Sequence, residues 1–175
     1  MNHAHSNNNM SKSQTKTIKR IRIILGIFIL GLVISGVTAF PLDSELGVLT
    51  QLLNENKLLH PSGFSIWMEK IHLALMDTYS KYPFFAYGTD WLAFAHLIIA
   101  VAFIGPLRDP VKNVWVIEFG MIACILVVPF ALVAGAIREI PIGWRLIDCS
   151  FGVFGIIPLW LCRREIKCLD SQEKI

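Results

Sequence analysis

The sequence predicts an all-α integral membrane protein: four transmembrane helices in an antiparallel bundle, with one or two extracytoplasmic interfacial amphipathic helices between the first and second spans. Three observations carry this prediction. Hydrophobic residues fill 54% of 175 positions and mean hydropathy is +0.57, too apolar for a soluble domain of this size. Four apolar runs have the length needed to cross a hydrocarbon layer of about 30 Å. Lys and Arg gather beside those runs on one predicted side, the pattern that orients membrane proteins. The net charge of only +3 then reads as an orientation signal and as contact with anionic lipid, which excludes a nucleic-acid partner.

Residues 1–22 are polar and rich in asparagine, so they are expected to form a disordered cytoplasmic tail ahead of a single membrane domain over 23–175. His3 and His5 lie in this tail without a third metal ligand nearby. The first span is read at 23–40. Lys16, Lys19, Arg20 and Arg22 precede it and place the N-terminus in the cytoplasm. Val37, Thr38 and Ala39 resemble a signal-peptide cleavage site. The apolar run exceeds the roughly 7–15 residues of a signal sequence, which favours a retained helix.

Residues 41–89 form the sizeable segment outside the spans, expected on the extracytoplasmic side. Leu46, Leu49, Leu52 and Leu53 recur at helical spacing, as do Phe64, Trp67, Met68, Ile71, Leu75 and Tyr79. Ser62 is an expected N-cap and Pro83 a stop. Glu69, Lys70, His72 and Asp77 make the second pattern too polar for a span, so the segment should lie along the membrane surface or cap the bundle.

The second span is read at 90–106, with Trp91 in the interfacial aromatic belt. The third covers 114–137, with Pro129 as an expected kink, and the fourth covers 146–162. Arg108 and Lys112, then Arg163, Arg164 and Lys167, flank the inner ends, which puts both termini in the cytoplasm of a multi-pass protein of the cell inner membrane. Short connections make the last three helices antiparallel neighbours. Gly31 with Ser35, Gly120 with Cys124, Ala131 with Gly135, and Gly152 with Gly155 supply small faces for close packing.

That topology collects Asp90, His96, Arg138, Arg145 and Asp148 at the outer side, with Glu139 and Trp144 between them. They define a candidate outer-face pocket. Asp90 or His96 would act as acid or base there, and Arg138 and Arg145 would hold an anionic phosphate. Each also has a structural role open to it: the aspartates as helix caps, Arg145 as an i,i+3 partner of Asp148, Arg138 at a helix C-terminus, and His96 in packing. Glu118 is expected to pair with Arg108, Lys112 or Arg163 at the inner interface. Met68, His72 and Met76 form a stripe suited to Cu(I), although methionine on such a helix is ordinarily a gap-filler. The four cysteines include no CxxC pair, and Cys124 reads as a small packing residue.

No HExxH, GxSxG or glycine-rich phosphate loop occurs in the sequence, and no cofactor is specified. The leading functional expectation is a non-catalytic assembly or binding partner with a polar outer-face pocket. Its partners would be the lipid bilayer and another membrane protein or a lipid ligand. The alternatives are an enzyme acting on a lipid or isoprenoid head group in the outer leaflet, and metal or proton handling resting on Met68, His72, Met76, His96 and Glu118.

Overall fold

Helices follow the apolar runs, and the last of them, Ile142–Glu173, continues past both ends of its run. A computed structural model describes residues 2–55 and 63–173, with side chains over 14–55, 63–169 and at 171. Among these residues the chain is all-helical and without strands. Its elements are α1 (Asn2–Thr38), α2 (Leu42–Glu55), α3 (Gly63–Lys81), a 3₁₀ turn (Pro83–Phe85), α4 (Ala86–Ala102), α5 (Ile104–Arg108), α6 (Val114–Ile137) and α7 (Ile142–Glu173). The expected N-cap Ser62 lies outside the described residues.

Four stretches are long and apolar enough to cross a membrane: Gln14–Thr38, Pro83–Arg108, Val114–Ile137 and Ile142–Leu169. The rest of the chain buries only 17% to 22% of their apolar windows. Large side chains such as Ile27, Ile122, Phe130, Phe151 and Phe154 stay exposed. Hydrocarbon is the solvent that accepts such surfaces, because backbone groups are already satisfied within each helix. The chain therefore has the make-up of a multi-pass membrane protein in contact with lipid.

Proline places one break. α4 ends at Ala102 and the chain turns at Phe103, because Pro106 has no N–H for the Ala102 carbonyl and its ring crowds that group. The ladder resumes with Leu107 N–H donating to Phe103 O at 3.2 Å and Asp109 N–H to Gly105 O at 3.0 Å. Pro129 and Pro158 lie inside α6 and α7, which run on through them.

The α6–α7 turn is a Schellman motif. Ile140 N–H donates to Gly135 O at 2.9 Å and Glu139 N–H to Ala136 O at 3.2 Å, with Glu139 at φ 57°. This left-handed position suits glycine, since a Cβ there costs roughly 1–2 kcal/mol. Glu139→Gly should stabilise the protein by about 0.5–1 kcal/mol after the greater chain entropy of glycine is set against the relieved strain. A raised thermal midpoint in mild detergent is the expected reading; an unchanged or lower one would mean that the glutamate side chain stabilises the turn.

The chain divides into two compact units, Met1–Leu30 with Ala100–Ile175, and Gly31–Ile99. In the first, Phe103 is 1% exposed. Its ring meets Phe28 at a centroid distance of 4.8 Å and covers Gly120, where an added Cβ would stand 2.7 Å from it. Ile21, Leu25, Ile117, Leu159 and Cys162 complete the buried centre. α6 and α7 pack through glycine: Gly120 against Leu159, Gly155 against the Cys124 sulfur, and Gly152 against the Cys124 carbonyl. The partners rise along one helix as they fall along the other. In the second unit α2 packs on α3 through Leu46, Thr50 and Leu53 on one side and Ser65 and Met68 on the other. Gly47 there lies under the His72 ring. Gly36 of α1 allows the close approach of α4, since a Cβ would stand 3.0 Å from Ala93 O.

Candidate functional site

Side-chain polar contacts concentrate where α1, α5, α6 and α7 of the first unit come together. Basic residues placed at the ends of apolar runs by the sequence meet carboxylates and helix-end carbonyls here. Arg163 donates to Glu118 Oε1 through Nε at 2.8 Å and through Nη2 at 2.7 Å. Arg20 Nη1 pairs with Glu165 Oε1 at 2.9 Å. Arg22 donates through Nε to Leu107 O and through Nη2 to Arg108 O, both at 3.1 Å. Cys162, fully buried, directs its thiol to Ile21 O at 3.9 Å. In the adjoining turn, Asn113 Nδ2 donates to Gly105 O at 3.3 Å and Asp109 O at 3.0 Å. The Lys112 N–H donated to the Asp109 carboxylate holds that carboxyl below its ordinary range.

Of the three cations open to Glu118 in the sequence, the structure selects Arg163. Arg22, used here as a clasp on carbonyls, is legible in the sequence only as part of the basic flank. Glu165 gives no sequence signal beyond lying among basic residues.

The candidates of the outer-face pocket divide between the units: Asp90 and His96 in the second, Arg138, Arg145 and Asp148 in the first. His96 directs Nδ1 to Leu92 O of its own helix at 2.8 Å. Because a carbonyl only accepts, that nitrogen carries a proton and donates it. Arg145 donates Nε to Ile140 O at 2.8 Å, and its aliphatic stem lies where a Cβ on Gly135 would go. It thus ties α7 to the carbonyl end of the turn and makes no ion pair with Asp148, the i,i+3 partner read from spacing. Neither aspartate begins a helix, since α4 starts four residues before Asp90 and α7 six before Asp148. Asp90, Arg138 and Asp148 have no side-chain hydrogen bond or ion pair among the described residues. In the Met68, His72, Met76 stripe, Met68 is fully buried and Met76 is 52% exposed, so the two thioethers occupy different surroundings. The Trp67 Nε1 and His72 Nδ1 atoms are buried without a hydrogen-bond partner among the described residues.

Comparison with protein-family models, curated proteins and solved structures finds no match to this chain. Among the described residues no three His, Cys, Asp or Glu side chains gather in a way that could hold a metal ion. The contacts of Arg22, His96, Arg145 and Arg163 join helix to helix, helix to turn, or a side chain to its own backbone. Such contacts position elements of a fold.

A second candidate surface belongs to α2. Leu42, Leu46, Val48, Leu49 and Leu52, with Ser44 and Glu45, line an open hollow of about 530 Å³. Val48 and Leu52 are 61% and 59% exposed. On α3, Ile66 and Leu73 are exposed to a similar degree. After α3 come the exposed aromatics Tyr82, Phe84, Phe85, Tyr87 and Trp91, with Phe84 stacked on Phe85 at 4.9 Å and Tyr87 edge-on to Trp91 at 5.9 Å. Aromatic rings with a polar edge favour the level of lipid head groups.

Proposed function

We propose that this is a non-catalytic multi-pass membrane protein that binds another membrane protein through its α2–α3 segment. The observation that carries the reading is the exposed apolar face of α2 around Val48 and Leu52. It lies in a segment, 41–89, with five carboxylates against three lysines. An apolar helix face of this kind calls for a groove or a membrane surface. The excess of negative charge disfavours anionic head groups and favours a protein surface that is apolar and basic. Polar contacts that serve structure at His96 and Arg145 agree with a binding role.

The positions of Lys16, Lys19, Arg20, Arg22, Arg108, Lys112, Arg163, Arg164 and Lys167 support a placement in the inner membrane with both termini in the cytoplasm and the four spans antiparallel. On that placement α2 and α3 lie on the extracytoplasmic side as interfacial helices, and Asp90, Arg138, Arg145 and Asp148 lie near the same face of the membrane.

Photo-crosslinking residues introduced at Val48 and Leu52 in whole membranes test the binding role. The expected product is one protein adduct of discrete mass from both positions, lost when Leu49→Asp is added, while the same probe at Phe151 yields lipid adducts. If positions 48 and 52 yield lipid adducts alone, the segment rests on the bilayer and the binding role fails.

A further inference from the structure

We infer that one face of α7 binds a single anionic phospholipid, with its phosphate on Arg164 and Lys167 and an acyl chain in the hollow beside Trp160. This surface belongs to the first unit and is independent of the partner proposed for α2. Ile156, Ile157, Trp160 and Leu161 line an open, wholly apolar hollow of about 350 Å³. Arg164 follows Trp160 by one helical turn and Lys167 follows Arg164 at i,i+3, so hollow and cations occupy one stripe of the helix.

The Arg164 guanidinium lies over the Trp160 ring at 5.9 Å from its centroid. A side chain on a helix leans toward the N-terminal turn, and the cation–π contact holds this one above the hollow. Trp160 is 51% exposed and belongs to the residue type that settles at head-group depth. A ligand that fits such a stripe carries negative charge at one end and hydrocarbon at the other.

Charge complementarity decides the class of lipid. Glu165 is engaged by Arg20 and Glu118 by Arg163, and Arg164 and Lys167 make no ion pair among the described residues. A zwitterionic head group brings its own cation to the site and weakens the attraction. An anionic one adds roughly 1 kcal/mol of attraction for each basic residue near the surface.

The full-length protein in phosphatidylcholine vesicles, titrated with phosphatidylglycerol brominated on its acyl chains, provides the test. Quenching at Trp160 is isolated by subtracting the signal of Trp160→Phe. The expected result is a preference for brominated phosphatidylglycerol over brominated phosphatidylcholine that falls at least tenfold in Arg164→Gln/Lys167→Gln and is unchanged in the control Lys70→Gln/Lys81→Gln. Raising the salt from about 0.05 M to about 1 M should weaken the preference in the unaltered chain, because exposed charges are screened. This second measurement stands even where the double variant does not fold. Equal quenching by the two lipids, a preference that survives the double substitution, or one that ignores salt overturns the proposal. Loss of the preference on adding millimolar inorganic phosphate overturns it too, since the occupant would then be the free ion.

Discussion

Gly152→Leu should unfold the α6–α7 pairing, with a loss of about 3 kcal/mol or more in stability, at the upper end of the range for overpacking a tight core. The cause is backbone. A Cβ at Gly152 would run into the Cys124 carbonyl oxygen of α6 and stand 2.7 Å from the Val127 methyl. A carbonyl in a helix cannot rotate away without breaking its own hydrogen bond, so relief requires the helices to separate. Separation would loosen Gly120 from Leu159 and Gly155 from Cys124 as well, because the same two helices carry all three contacts.

The neighbouring glycines set the scale for this result. Gly152→Ala should already cost about 1–3 kcal/mol. Gly135→Ala meets only the Arg145 side chain, with Cγ and Cδ at 2.6 Å, and a flexible stem can swing aside with loss of the Ile140 hydrogen bond, about 1 kcal/mol. Gly31→Ala has nothing within 4 Å and should be neutral or stabilising by up to about 1 kcal/mol through helix propensity. Thermal unfolding in one mild detergent checks the order. If Gly152→Leu unfolds with the unaltered chain, the two helices do not pack through glycine as described.

Much of this packing was legible in the sequence, and the part that was not has a physical reason. Hydropathy placed the third span at 114–137, the range of α6, because a turn with its own hydrogen bonds bounds each end of that run. It placed the fourth at 146–162, whereas α7 runs Ile142–Glu173. A helix does not stop where apolarity stops, since extending an existing helix adds a hydrogen bond for each residue fixed. The second span also read as continuous, and the break at Phe103 depends on where the Pro106 ring falls relative to Ala102. Small-residue spacing found the faces at Gly120, Gly152 and Gly155, but nothing in that spacing distinguishes them from Gly31, which meets no neighbour. The candidate chemistry was less legible than the fold. Composition counts charges, but the carbonyl that takes Arg145 and the glutamate that takes Arg163 are set by the geometry of a turn and of a helix pair.

The Glu118–Arg163 pair is where that geometry should have its largest energetic consequence. Both contacts reach one carboxylate oxygen, and the pair joins α6 to α7 near the edge of two apolar spans. Charge-assisted hydrogen bonds of this kind contribute about 1.5–3 kcal/mol. The two single substitutions should nevertheless differ. Glu118→Gln leaves a cation whose long stem can carry it out to water. Arg163→Gln leaves a carboxylate on a short side chain within a span, and a charge stranded there is the costlier outcome. Arg163→Gln is therefore expected to lose about 2–3 kcal/mol and Glu118→Gln about 1–2 kcal/mol. The double variant should be more stable than Arg163→Gln alone, because no charge remains unpaired. Denaturant unfolding of all four proteins closes the double-mutant cycle. A coupling energy near zero, or equal losses from the two single variants, would mean that water already solvates both groups and that the pair lies outside the hydrocarbon edge.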